Sequence, residues 1–140
     1  MKISSKGRYA VKVLVDIATS NKEYVSLSEI AERQNLSIKY LERIVSNLVK
    51  AHLLDSLKGS LGGYKLTKSP QEYTIAEILS VTGDLPELAP CQKSSQGCPN
   101  QKDCTTIGCW EVLTSIIYKY LNNVSLLDLI NNTYKEKGNF

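Results

Sequence analysis

The 140-residue chain is 42% hydrophobic and carries a formal net charge of +3, which suits one domain or a small domain with an added arm. No apolar run approaches the roughly 18–20 residues of a bilayer-spanning helix, so no membrane partner is expected. Charge is unevenly placed, with 12 Lys/Arg against 6 Asp/Glu in residues 1–68 and 5 against 8 in residues 69–140. That points to a polyanionic partner for the first half, the alternative being an unevenly charged solvated surface.

The opening stretch "MKISSKGRYAVKVLVDIATSN" is interrupted by Lys6, Arg8, Lys12 and Asp16, where a signal peptide needs an apolar core. A cytoplasmic, thiol-reducing location is therefore expected. Ala10, Val13, Leu14, Ile17 and Ala18 recur at helical spacing and predict a helix over residues 5–20. "SLSEIAERQ" opens with Ser26 and has Glu29 three residues on, the capping-box signature of a short helix ending near Asn35. Ser37 can cap a longer helix, "SIKYLERIVSNLVKAHLL", whose buried stripe is Leu41, Ile44, Val45 and Leu48. Two helices joined by a tight turn, the second longer and basic, fit a helix-turn-helix.

Leu53, Leu57, Tyr64 and Leu66 then fall in two extended runs around Gly59, Gly62 and Gly63. The glycines permit the positive φ of a hairpin tip, and Lys58, Lys65 and Lys68 surround it. A basic hairpin after a helix-turn-helix reads as a wing that can reach phosphates or a minor groove. "TIAEILSVTGD" repeats the capping box with Thr74 and Glu77, and "GDLPELAP" reads as a linker. "WEVLTSIIYKYLNN" places Trp110, Leu113, Ile117, Tyr120 and Leu121 on one helix face, with Val112 and Ile116 adjoining. So broad an apolar surface suggests a homodimer interface, the alternative being packing onto its own domain. A short helix follows Ser125. The expected fold is mainly α with a small β-hairpin wing. A winged helix-turn-helix occupies residues 1–83, a cysteine-rich loop 84–109, and a dimerisation helix with its tail 110–140.

All four cysteines, Cys91, Cys98, Cys104 and Cys109, lie within that loop, spaced Cys-x6-Cys-x5-Cys-x4-Cys. Structural zinc usually takes ligands in tight pairs, and only Cys104 and Cys109 meet that spacing. Thiolates on a polar, glycine-containing loop can wrap an iron–sulfur cluster, and Lys93 and Lys102 would offset their charge. Iron–sulfur, zinc and a thiol switch stay open on spacing alone. Catalysis has nothing to rest on: His52 is the single histidine, and no nucleophile motif, phosphate loop or carboxylate pair is present.

With "SSKGRYAV", "SLSEIAERQNLSIKYLERIVSNLVKAHLL", "GGY" and the spaced cysteines in place, the chain resembles the iron–sulfur cluster regulators of the Rrf-two (Rrf2) family over about residues 1–132. The resemblance implies a homodimer with crossing C-terminal helices and one cluster per protomer, typically [2Fe–2S]. The family cysteines then correspond to Cys91, Cys98 and Cys104. The residues meeting double-stranded operator DNA correspond to Ser37, Lys39, Tyr40 and Glu42, and the wing-tip arginine to Lys58. Relatives place a histidine ligand where this chain has Ile107, leaving Cys109 as the nearest substitute, against its being a small core residue. A nitric-oxide-sensing branch can use an acidic residue near the N-terminus, where this chain has Arg8. A branch regulating cysteine metabolism shares the fold but lacks the cluster cysteines. From a different class, a zinc- or thiol-stabilised adaptor binding a protein partner through residues 110–130 is the competing expectation.

Overall fold

The computed structural model describes residues 2–85, 87–89 and 98–138. They form α1 (Ser5–Ala18), α2 (Leu27–Gln34), α3 (Ile38–Lys50), strands β1 (Leu54–Leu57) and β2 (Gly63–Leu66), α4 (Ile75–Thr82), α5 (Ile107–Asn123) and α6 (Leu126–Asn131). Short 3-10 turns occupy Pro70–Glu72, Gln101–Asp103 and Tyr134–Gly138. No described helix is long and apolar enough to cross a membrane.

Each of the first three helices starts on a serine that satisfies an otherwise unpaired backbone N–H. Ser4 accepts from Gly7, Ser26 from Glu29, and Ser37 from Tyr40. At Ser26 the box is reciprocal, because the Glu29 carboxylate accepts from the Ser26 N–H at 3.1 Å. Lys22 also pairs with Glu29, and these bonds pull its carboxyl down to about 2. α2 ends at Asn35 in the left-handed region, φ 51°, and the chain turns directly into Ser37. Arg33 clamps α2 to α1 by donating from Nη2 to Asp16 Oδ1 at 2.6 Å and from Nε to both carboxylate oxygens at 3.1 Å. Gln34 Nε2 adds a bond to Asp16 at 2.9 Å.

The expected α3 stripe is buried together with Ala10, Val13, Leu14 and Ile17 of α1 and Ile78 and Leu79 of α4. β1 and β2 pair antiparallel, Leu54 opposite Leu66 and Leu57 opposite Gly63. Val25 extends the sheet by exchanging two backbone hydrogen bonds with Tyr64, at 2.9 and 2.8 Å. That closeness requires Gly63, since a methyl there would lie 2.3 Å from the Val25 carbonyl oxygen. Gly59 and Gly63 have the expected positive φ, whereas Gly62 does not. Gly62 is needed for space instead, because its Cβ would fall 2.1 Å from the Leu57 oxygen.

The Thr74 capping box is only half made. Thr74 accepts from the Glu77 N–H at 3.1 Å, but the Glu77 carboxylate turns to Lys68, at 2.8 and 2.9 Å. A reciprocal box not expected from the sequence forms at Ser125/Asp128, and at Ser69 the Glu72 carboxylate accepts from the Ser69 N–H at 2.9 Å while Glu72 N donates to the Ser69 carbonyl. α4 is fixed at both ends. At its start, Ile75 N donates to Val124 O and Leu126 N to Tyr73 O, each at 3.0 Å. Beyond its end, Asp84 accepts from Ser4 N at 3.0 Å, Ser4 Oγ at 2.7 Å and Thr82 Oγ1 at 2.6 Å.

Candidate nucleic-acid interface and cysteine segment

Position along α3 decides what each side chain can offer. Residues 41, 44, 45 and 48 face the core, so the opposite side presents Lys39, Glu42, Arg43, Ser46 and Lys50 to solvent. Ser37 is exposed, but its hydroxyl already caps the helix, accepting from Tyr40 N at 3.2 Å. Tyr40 is half-buried, its ring edge-on to Tyr9 with centroids 6.0 Å apart. It is thus a positioned group rather than a freely moving one. Glu42, Arg43, Ser46, Asn47 and Lys50 line one open polar groove. The sequence reading passed over Arg43, Ser46 and Asn47 as site residues, although their helical spacing with Glu42 and Lys50 was the available signal.

The wing lysines are not equivalent. Lys65 sits 4.9 Å from the Tyr24 ring centroid and 3.4 Å from Glu23. Tyr24 first, then Glu23, hold its ammonium above the usual lysine range. Lys68 is paired with Glu77 and lies over the Tyr73 ring at 4.9 Å. Lys58 is exposed and has no ion pair among the described residues, so its charge is the one available to a polyanion.

Cys91 lies outside the described residues. Cys98, Cys104 and Cys109 are free thiols, all exposed. Cys98 and Cys104 bracket a single turn, in which Gln101 N donates to Cys98 O at 3.0 Å and Cys104 N to Gln101 O at 3.3 Å. Cys104 Sγ lies 3.4 Å from Thr106 Oγ1. The Thr106 hydroxyl, then the Thr106 and Ile107 N–H groups at the start of α5, bring its thiol below the usual range. α5 begins at Ile107, not at Trp110, so Cys109 sits in its first turn and donates from its N–H to Thr106 O at 3.1 Å. Its exposure corrects the reading of Cys109 as a small core residue. Among the described residues no three His, Cys, Asp or Glu side chains converge on a metal-sized site.

α5 divides along its length. Leu121 is buried and Ile117 and Tyr120 pack on the core, while Trp110, Val112, Leu113, Ile116 and Tyr118 stay exposed, Trp110 at 39% and Val112 at 61%. The single face expected from Trp110 to Leu121 is therefore split, its first half uncovered by the described residues.

A helix-turn-helix with a basic wing and a capped α3 presenting polar and cationic groups together define a winged-helix DNA-binding protein. The family described as "Rrf2: Iron-dependent Transcriptional regulator" matches residues 3–132. The chain is 38% identical over 133 residues to the HTH-type transcriptional regulator IscR of Pectobacterium carotovorum, covering 94% of this chain and 80% of that protein. IscR of Escherichia coli is 36% identical over 133 residues, covering 94% and 82%. Among solved structures, CymR, the global cysteine regulator of B. subtilis, matches with TM-score 0.75 and 30% identity over 94% of this chain and 98% of that one. T. potens IscR matches with TM-score 0.73 and 31% identity over 97% and 90%. The chain belongs to the Rrf2 family of transcriptional regulators and is not an enzyme.

Proposed function

We propose that the chain is an IscR-like regulator that acts in the cytoplasm as a homodimer on a pseudo-palindromic DNA operator and responds to iron–sulfur status. The observation that carries the reading is one of placement. In the chain, Cys91, Cys98 and Cys104 fall between the winged-helix reader and the half-uncovered α5, and Cys109 lies in the first turn of that helix. Two α3 helices in successive major grooves, about 34–36 Å apart, would read the two half-sites. Lys39 and Tyr40 meet phosphates or base edges, Glu42 accepts from a cytosine amino group, Ser37 holds the helix start, and Lys58 enters the adjoining minor groove. Lysine keeps the charge there but not the planar fork of arginine.

The donor chemistry fits an iron–sulfur cluster, since Cys98, Cys104 and Cys109 are exposed, free thiols. When bound, such a cluster would supply a centre sensitive to oxidants, nitric oxide and iron supply. Cys91, Cys98 and Cys104 would hold three positions. Cys109 would take the fourth, because Ile107 has no donor atom and helical side chains in a first turn lean toward the N-terminus, where Cys104 lies. An all-cysteine set, most simply around [2Fe–2S], would have a lower potential than one containing histidine. Trp110, Val112, Leu113 and Ile116 would be covered by the partner's α5.

Anaerobic reconstitution with iron and sulfide, followed by DNA titration of apo and loaded protein, tests the reading. Charge-transfer absorption above about 400 nm and different affinity or sequence preference in the two forms are expected. A colourless protein that retains zinc and binds no DNA would refute it and favour the adaptor.

A further inference from the structure

The wing tip carries a side chain that neither the fold nor the cationic contact uses. Gly62 N donates to Gly59 O at 3.1 Å, closing a tight turn with Ser60 and Leu61 at its two corners. Turn corners favour Gly, Asn, Asp, Ser or Pro for conformational reasons, and leucine is not among them. Leu61 is nonetheless held there with 90% of its surface in water, the highest exposure of any large apolar side chain among the described residues. Gly62 leaves no room beside the turn for a side chain of its own, since a Cβ there would lie 2.1 Å from the Leu57 oxygen. Lys58, on the same tip, has no ion pair among the described residues. Two acids near the tip are already engaged, Glu23 by Lys65 and Glu29 by Lys22, so the tip offers a cation beside an exposed hydrocarbon.

We propose that Leu61 is an apolar minor-groove probe that makes the wing selective for deformable base steps. The inference rests on the DNA-binding reading above. With α3 in the major groove, the wing falls on the neighbouring minor groove. There a side chain without polar atoms reads no hydrogen-bond pattern, but it can press between bases. Such a contact is favoured where stacking is easily opened, at pyrimidine–purine steps such as TA, and disfavoured on a stiff, narrow A-tract. Lys58 supplies the phosphate or groove electrostatics, and Leu61 the dependence on flexibility.

The test uses full-length protein and a duplex selected by it from a random-core DNA library, with the step under the wing located by footprinting and then set to TA or to an A-tract. Wild type should prefer the TA duplex and raise the fluorescence of 2-aminopurine placed at that step. Leu61→Ser should lose about tenfold in affinity for the TA duplex, together with the TA preference and the fluorescence rise, while keeping the salt dependence. Leu61→Met should restore most of both. Lys58→Ala should instead weaken binding to both duplexes and lower the salt slope by about 1. Equal binding of both duplexes by Leu61→Ser and wild type would overturn the role of Leu61 while leaving the regulator reading intact. Failure of wild type to bind any selected duplex would overturn both.

Discussion

Tyr73→Phe removes one oxygen and should unseat the wing. Tyr73 is fully buried. Its hydroxyl donates to Leu53 O at 2.8 Å and accepts from Thr67 N at 2.9 Å, joining the segment entering β1 to the segment leaving β2. Phenylalanine fills the same space, so the apolar burial is kept and the loss is confined to hydrogen bonding. Each stranded buried group costs about 1–3 kcal/mol. Leu53 is buried and lies toward the upper end of that range, whereas Thr67 is exposed and water can reach its N–H. The sum is about 2–4 kcal/mol, or a fall in Tm of roughly 6–12 °C for a chain of this size.

Urea and thermal unfolding at one fixed protein concentration measure it, since self-association makes Tm concentration-dependent. DNA affinity should fall with it, because Lys58 is then presented by a looser hairpin. A destabilisation under about 0.5 kcal/mol, the range of neutral surface changes, with unchanged DNA affinity, would refute the assignment of Tyr73 as the tie at the wing's base.

Cys109→Ser should shift the absorption spectrum and shorten the lifetime of a reconstituted cluster, and an unchanged spectrum and lifetime would remove Cys109 from the ligand set. Trp110→Glu places a charge on the exposed first half of α5 and should convert dimer to monomer in sedimentation, with the fold kept by circular dichroism. Burial pushes the Asp84 carboxyl up, but Thr82, the Ser4 hydroxyl and N–H, and Lys6 together bring it below its ordinary value of 3.8. A lowered carboxyl stabilises the fold above that value and loses the contribution as pH falls through its folded pKa. Asp84→Asn should therefore be less stable than wild type in urea at about pH 7, with the gap closing at about pH 3.

Local signals made most of the reader legible. Ser26 and Ser37, each just ahead of an apolar stripe, marked the starts of α2 and α3, because a cap and its partner N–H lie within four residues and need no knowledge of the rest of the chain, whereas α1 was read from its apolar spacing. The contacts that assemble these pieces were not legible. Ser4 meets Asp84 across eighty positions, and Glu77, expected to complete its own cap, is taken by Lys68 of the wing. Both are choices among competing hydrogen bonds that only tertiary proximity settles. The candidate site shows the same division. The spacing of Cys98, Cys104 and Cys109 could be read directly, but that α5 reaches back to Ile107 and so carries Cys109 could not, since "TTIGCW" offers no strong helix-start signal.

The arrangement of α4 bears on how events at the cysteines would reach DNA. Tyr73 holds the wing through its hydroxyl and the start of α6, just beyond α5, through its carbonyl, which accepts from Leu126 N. Ile75, two residues on, donates to Val124 O. The junction of α5 and α6 is thus stitched by backbone hydrogen bonds to Ile75 and to Tyr73, the residue that seats the wing, while the N-terminal end of α5, with Cys104 and Cys109 beside it, is exposed. A helix fixed at one end and uncovered at the other responds to a force at its free end by pivoting about the fixed one. Under the proposed reading, thiolates closing around a cluster would reorient α5 about Val124, and in a dimer that pivot would reset the distance between two α3 helices without deforming either. Such coupling requires the ligand set to favour one orientation over the other. Weakening the pivot should therefore separate the functions: Tyr73→Phe should diminish the difference between apo and loaded DNA affinities beyond its uniform effect on both.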